Sequence, residues 1–314
     1  MSLSCATLHF ELCTLNLESL LCPAKVNLAL SVGPPDADGL HPLASWMIAL
    51  RFGDRLTLER REGDSVFDLA WAEDAPSPGV IDWPLEKDLA FRAHRLVEQR
   101  IGRPLPVALT LRKVVPTGAG LGGGSSDAAA VMVGLNRLFE LNVPTDTLIE
   151  WSMTLGSDVG FLVAALNGMP SAIVTGKGET VEPQPLRRAI HLVLILPPFG
   201  CPTGQVYQTL DRQRAAAEAD VSHLPDEARV QALTAAETLA ADAPFNDLAA
   251  PACAVQPRLA ELVEQFREVL GVPVHITGSG AAMFVIARDE TEANEIAATV
   301  TRRVNLPAVA TRTL

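Results

Sequence analysis

Several features that mark common protein classes are missing from this 314-residue sequence. It has no cluster of Lys and Arg, and its 37 acidic side chains outnumber 25 basic ones, giving a formal net charge of −12. A nucleic-acid binder would carry a basic face, so no nucleic-acid partner is expected. No apolar run reaches the length of about 18 residues that a membrane span needs, so none is expected. The N-terminal stretch 1–22 is apolar but interrupted by His9, Glu11, Asn16 and Glu18, and it lacks the basic region that opens a signal peptide. The cysteines, at 5, 13, 22, 201 and 253, are odd in number and never spaced CxxC. They read as reduced thiols of a cytoplasmic protein. There is no internal repeat and no GxxxxGK[ST], which excludes a P-loop.

What is present reads as a folded protein of one large or two medium domains, because the length exceeds the size at which one core stops growing. Residues 24–32 and 54–60 alternate as strands do, with turn chemistry between them in PPDADGLHP. Residues 64–87, rich in Pro and Asp, read as a surface excursion. A helix is expected over 88–100, a strand over 105–113, helices over 126–139 and 146–155, a short helix from Asp158, and a hairpin in IVTGKGETV. Beyond a boundary near 180 the character changes. A strand at 191–198 is followed by Ala-, Glu- and Arg-rich residues 212–243, which read as a helical, exposed insertion. The amphipathic helix PRLAELVEQFREVL, two short strands, a helix at 290–303 and AVATRTL follow. This β-α-β-β-α-β order is that of a split βαβ unit. The expected domains are 1–180 and 181–314.

The most informative segment lies between the 105–113 strand and the following helix: Pro116, Thr117, Gly118, Ala119, Gly120, Leu121, Gly122, Gly123, Gly124, Ser125, Ser126. Five glycines let backbone approach a ligand closely, and successive N–H groups at a helix N-terminus form an anion nest. The two serines can bond phosphate oxygens or approach Mg²⁺. Residues 118–123 fit GxGxxG, but 137–155 read as helix-turn-helix where a dinucleotide fold needs a strand ending in an acid. Phosphoryl transfer also needs a cation and a group to take the hydroxyl proton. Lys25, in an apolar strand, and Asp158, at a helix start, are candidates; from the residues alone, a solvated Lys and an N-cap Asp are the readings to be preferred.

The glycine segment together with PAKVNLAL (23–30), DGLHPL (38–43), GDRLTL (53–58), LGSDVGF (155–161), GKGE (176–179), NDL (246–248) and GSGAAMF (278–284) resembles, in order and over most of the chain, the GHMP kinases (galacto-, homoserine, mevalonate and phosphomevalonate kinases). The resemblance implies a two-domain α+β fold: an N-terminal ATP-binding domain like the second domain of ribosomal protein S5, a ferredoxin-like C-terminal domain, and a cleft between them. It implies ATP with Mg²⁺ as cofactors, Lys25 and Asp158 as catalytic residues, and Asp88 and Lys113 beside the nucleotide with residues 116–126. The Mg²⁺ ligands stay open. The closest resemblance is to the branch whose acceptor is a cytidine diphosphate-linked polyol of non-mevalonate isoprenoid synthesis. It places Asn27, Leu40, His41, Thr203, Tyr207, Gly278 and Ser279 around that small-molecule substrate, in a monomer or weak homodimer. Four positions depart from the branch's pattern: Asp88 for Asn, Leu40 for Tyr, Met47 for Phe and Gly160 for Pro. With one ring, Tyr207, where two are usual, stacking on a base weakens by about 1–3 kcal/mol. Another acceptor of the homoserine or mevalonate type, and a non-catalytic ligand-binding protein of this fold, are the alternatives.

Overall fold

The computed structural model describes residues 16–216, 224–236 and 238–314. Most of the N-terminal stretch, with Cys5 and Cys13, and part of the segment 212–243 lie outside these residues.

Two long strands organise the N-terminal half. β1 (Leu17–Val32) pairs antiparallel with β2 (Leu43–Arg60) along almost its whole length. β3 (Val66–Trp71) runs parallel to β4 (Val107–Lys113), and β4 pairs with the C-terminal half of β2. The N-terminal half of β2 takes the hairpin of β5 (Ser171–Gly176) and β6 (Thr180–Pro183). This sheet is covered by α1 (Leu89–Ile101), α2 (Gly123–Leu138), α3 (Thr145–Ser152) and α4 (Val159–Leu166). Helix α2 is buried at every residue from Ser126 to Leu135. Its Ala128–Ala130 and Gly134 let it lie close to the sheet; a Cβ on Gly134 would meet Leu58 at 2.6 Å.

In the C-terminal half, β7 (His191–Ile195), β9 (His275–Ile276), β10 (Met283–Ala287) and β11 (Ala308–Arg312) form an antiparallel sheet in the order β11-β7-β10-β9. With helices in both crossovers, this is the expected split βαβ topology. Ile195, Met283 and Val285 face α8 (Pro257–Leu270). Leu192, Leu194 and Phe284 face Ala24, Val26 and Leu28 of β1. Both sheet faces are thus buried, which is why HLVLI is a continuous apolar run. Helix α9 (Glu290–Val304) packs Ala293 beside Val193. Strand β8 (Phe245–Asn246) returns from this half to pair parallel with β1, and α7 (Ala249–Val255) follows it.

Three expectations are corrected. Residues 43–53 belong to β2, although only 54–60 alternate; with both faces covered, Ala44–Leu50 have no polar parity to show. The supposed surface excursion 64–87 contains β3 and a 3₁₀ turn at Leu85–Lys87. In the segment 212–243, the helix α5 (Thr203–Ala216) starts nine residues early, and α6 (Glu227–Ala235), exposed over most of its length as expected, is anchored to the core at one point. Val230 is fully buried, and Leu233 packs beside it against β1 and β2.

Burial of Val230 has a measurable consequence. Val230→Asp should lower unfolding free energy by at least about 3 kcal/mol in urea titration, since it buries an unpaired charge, whereas an exposed insertion would shift by less than about 0.5 kcal/mol.

Candidate active site

The glycine segment closes the gap between β4 and α2. Gly118, Gly120 and Gly122 have φ of +70°, +79° and +69°, a left-handed backbone that favours glycine. Between them, Ala119 and Leu121 tuck into the core shared by the two sheets. The loop is held from both sides: Lys25 N donates to Leu121 O at 2.9 Å, and Ala282 N donates to Ala119 O at 2.9 Å. A Cβ on Gly120 would meet Thr277 O at 2.6 Å, and one on Gly122 would meet Lys25 Cγ at 2.9 Å. Helix α2 begins at Gly123, three residues before the expected start, so Gly123–Ser126 lie in its first turn and their N–H groups face the N-terminal end. Thr117, Gly118 and Gly124 are exposed, while Pro116 and Ser125 are half-buried. Ser126 is fully buried, with an Oγ lacking a partner among the described residues.

Across the loop lies a cleft of about 600 Å³. Lys25, Asn27, Leu40, His41, Gly118, Gly120, Gly122, Ser125, Asp158, Thr203, Tyr207, Gly278 and Ser279 all line it. Lys25 is only 4% exposed. Its neighbours Ala24 and Val26 go into the inter-sheet core, so the pleat turns Lys25 and Asn27 to the other face. Lys25 Nζ donates to Asn27 Oδ1 at 2.7 Å and lies 3.3 Å from Asp158 Oδ2. Asn27 Nδ2 donates to Ser45 Oγ, and Ser45 Oγ to Ala29 O, so the side chain that orients Lys25 is itself fixed. Asp158 precedes α4 but makes no side-chain cap bond, which leaves its carboxylate for the cleft. Gly160, in the first turn of α4, has Ile149 Cγ2 3.2 Å from where a Cβ would stand.

At the opposite end, Thr203 and Ser279 hydroxyls are 2.9 Å apart, joining α5 to the glycines at 278–280. Tyr207 is pushed up to about 12 by burial and by the Asp158 carboxylate, so the phenol stays neutral. Its ring centroid is 4.9 Å from that of His41. Leu40 is 53% exposed, and Met47 is buried.

Lys113 and Asp88, expected beside the nucleotide, do not line this cleft. Lys113 is 5% exposed and ion-paired to Asp54 and Asp127 beneath the loop. Its position follows from parity: Val107, Leu109, Leu111 and Lys113 all point inward on β4. Burial opposes its charge, but the two carboxylates outweigh that and hold it above the usual lysine range. Burial pushes Asp127 above the usual carboxylate range, against the pull of Lys113. Asp54 also accepts from Val114 N and Val115 N, which ties the strand end that carries the loop. Asp88 is the N-cap of α1: it accepts from Ala90 N at 2.8 Å and from Trp83 Nε1 at 2.9 Å.

Other residues at the site carried no assignment from the sequence. Asn246 Nδ2 donates to Ile276 O and Gly278 O, holding the third glycine motif. Thr277 Oγ1 accepts from Asn27 N at 3.1 Å. Asp211 meets His41, and Lys177 at the cleft rim pairs with Asp36 and Asp38. The NDL and GSG motifs signalled the first two; nothing local distinguishes Asp211 from a solvated helix acid.

A glycine nest at a helix start, facing an ammonium–carboxylate pair between two α+β halves, defines a small-molecule phosphotransferase. Comparison with known proteins gives the same class. The family model for the GHMP kinases N terminal domain matches residues 88–168, and that for GHMP kinases C terminal matches 231–306. A 4-diphosphocytidyl-2-C-methyl-D-erythritol kinase of Thermobifida fusca is 33% identical over 279 residues, 88% of this chain and 89% of that protein. One from Caulobacter vibrioides is 34% identical over 89% of this chain and 93% of its own. A crystal structure of 4-(cytidine 5'-diphospho)-2C-methyl-D-erythritol kinase superposes with a TM-score of 0.72 at 33% identity, covering 95% of this chain and all of that one. The crystal structure of L. major mevalonate kinase, at 14% identity and TM-score 0.67, shares the fold. The chain belongs to the GHMP kinase family, within the group whose curated members carry the 4-diphosphocytidyl-2-C-methyl-D-erythritol kinase name.

The ion triad under the loop makes a stability prediction. Lys113→Ala leaves two carboxylates buried without their cation, and should cost about 3–5 kcal/mol in urea unfolding. A lysine serving only the nucleotide would leave that value unchanged.

Proposed function

We infer that the chain transfers the γ-phosphoryl group of ATP to the 2-hydroxyl of 4-diphosphocytidyl-2-C-methyl-D-erythritol, in the synthesis of isoprenoid precursors. The observation that carries this is the Lys25–Asp158 pair, 3.3 Å apart, beside glycines whose missing Cβ atoms leave the backbone open. The N–H groups of the 118–124 turn and of Ser125 would donate to phosphate oxygens, whereas the Ser126 N–H already bonds Gly122 O at 2.8 Å. Ser125, on the cleft wall, would hold a triphosphate-borne Mg²⁺, whose charge offsets that of the phosphates. No group of three or more His, Cys, Asp or Glu suited to a metal occurs among the described residues.

Asp158 then receives or orients the acceptor hydroxyl proton, and Lys25 neutralises charge developing on the transferred group. Asn27 keeps Lys25 in place while that happens. His41, Tyr207 and Leu40 form the end of the cleft for the cytosine, and Thr203, Gly278 and Ser279 close over the acceptor's phosphates. Lys113 is assigned to the support beneath the loop, and Asp88 to capping α1.

The wider reading is a cytoplasmic monomer or weak homodimer divided near residue 180. The division is supported by the two sheets: of the strands after β6, only β8 returns to pair in the first. No helix among the described residues is long and apolar enough to cross a membrane. A second acceptor class is favoured by one observation: the base-facing wall holds Leu40 and Met47 in place of rings.

Lys25→Ala and Asp158→Asn should each lower kcat by about 10²-fold or more, with unfolding midpoints close to the parent's. Parent-like turnover in either would remove it from the mechanism. A coupled assay of ADP release against the cytidyl acceptor, homoserine and mevalonate should show turnover with the first alone; turnover confined to one of the others would replace the acceptor.

A further inference from the structure

Behind the reaction cleft lies a second cavity, of about 470 Å³, that the phosphoryl transfer does not use. It opens between β8, α7, α8 and the β9–β10 end of the second sheet, and Phe245, Cys253, Val263, Val274, Ile276 and Phe284 supply its walls. The start of α7 divides the two spaces: Leu248 lines the cleft, and Ala249 lines the cavity. Among the described residues, Asn27 alone lines both. It is 2% exposed and accepts from Lys25 Nζ at 2.7 Å. Asn246, on the cavity wall, donates to Gly278 O at 2.8 Å. The partition between the two spaces therefore consists of the residue that orients the ammonium and the residue that holds the third glycine motif.

The lining decides what the cavity can hold. Its two charged side chains, Glu264 and Arg267, pair with each other at 2.7 Å, three residues apart on α8. The polar groups are engaged inside the protein. Asn246 Nδ2 donates to Ile276 O and Gly278 O, and its Oδ1 accepts from Leu248 N. Asn27 Nδ2 donates to Ser45 Oγ, and His275 Nε2 lies 2.8 Å from Ala241 O. The His275 ring lies 5.2 Å from that of Phe284, tilted by 31°, and burial pushes the imidazole below its usual range. An ion entering here would give up its water and find no unpaired countercharge on the walls. An uncharged ring system would lose little and bury its apolar surface, in a space of the size that small-molecule sites have.

We propose that this cavity is a second ligand site, for an uncharged and mainly apolar small molecule, and that its occupation lowers turnover by displacing Asn27 from Lys25. A ligand seated at the inner end bears on the residue that orients the ammonium, and a misplacement of about 1 Å costs a reaction about 10²-fold. The glycine turn at 118–124 does not line the cavity, so the nucleotide's seat is left as it is. The signature is a fall in kcat without competition against either substrate.

The probe is 2-naphthol, with the anionic 2-naphthoate as control, on the full chain with ATP, Mg²⁺ and the acceptor that it turns over. 2-Naphthol should slow alkylation of Cys253 by iodoacetamide, followed by peptide mass, by about fivefold or more, and 2-naphthoate should need an about tenfold higher concentration for the same protection. Saturating 2-naphthol should lower kcat by about fivefold or more without competing with ATP or the acceptor. Ala250→Trp, at an exposed position of α7 on the cavity rim, should keep parent turnover and lose both effects. Asn27→Ala should start from a low kcat, keep the protection of Cys253, and show no further response to 2-naphthol. Absent protection, equal protection by 2-naphthoate, competition with either substrate, effects that survive Ala250→Trp, or the same fractional inhibition in Asn27→Ala would each overturn the proposal. The protection measurement needs no turnover, so a failure of the acceptor assignment is distinguishable from a failure of this site.

Discussion

The site depends on holding a lysine ammonium nearly out of water without letting it pair too well. Lys25 is 4% exposed, and a buried ammonium is costly unless hydrogen-bonded and matched by opposite charge. Here the hydrogen bond comes from Asn27, a neutral amide, at 2.7 Å, and the carboxylate of Asp158 stands further off at 3.3 Å. A strong bidentate ion pair would satisfy both groups and leave neither for a substrate. The observed arrangement leaves Asp158 oxygens facing the cleft, with its side chain 28% exposed. The scaffold supports this: β1 is committed to the inter-sheet core through Ala24, Val26 and Leu28, so the alternate residues have no freedom to turn away.

The fate of the second lysine shows the opposite solution. Lys113 meets two carboxylates, Asp54 and Asp127, in a site almost closed to solvent. Asp54 also receives the amides of residues 114 and 115. That cluster works as a joint at the point where β4 ends and the glycine turn begins. Buried ion networks are poor sources of net stability but leave few alternative arrangements, and a loop that must present its N–H groups in one geometry benefits from a fixed base. The same chemistry, ammonium beside carboxylate, thus serves positioning under the loop and reaction above it, and the difference is saturation.

Much of this was legible in the residues. The glycine turn, the parity of β4, the amphipathic helix at 257–270 and the β-α-β-β-α-β order all follow from local pattern, and the motif order brought Lys25 and Asp158 to one cleft. Lys113 shows a pattern present but underused: the alternation through Val107, Leu109 and Leu111 already pointed it inward. Other features left no local trace. The stretch Ala44–Leu50 is a strand buried on both faces, and its apolar run has no period. Helix α6 has almost no apolar face of its own, and joins the core only through Val230 and Leu233. Asp211 is the single acid of a polar helix, with nothing to set it apart from a solvated side chain until the chain brings it to residue 41, 170 positions away.

The loss of two aromatic positions in the acceptor pocket changes where discrimination must come from. Stacking on an aromatic face is tolerant of base identity, because every base has a π-face. Leu40, 53% exposed, and Met47, buried beneath the cleft, add apolar contact without that interaction. A pocket with fewer rings binds a base less tightly but is no less able to tell one base from another, since identity resides in the edge. Edge recognition requires a side chain whose donor or acceptor state is fixed, and a free imidazole presents either tautomer. The His41 ring is held in place between Tyr207, 4.9 Å away between centroids, and Asp211, 2.9 Å from its Nε2. On the proposed reading, substitutions at positions 40 and 47 act mainly on affinity for the base and less on its identity.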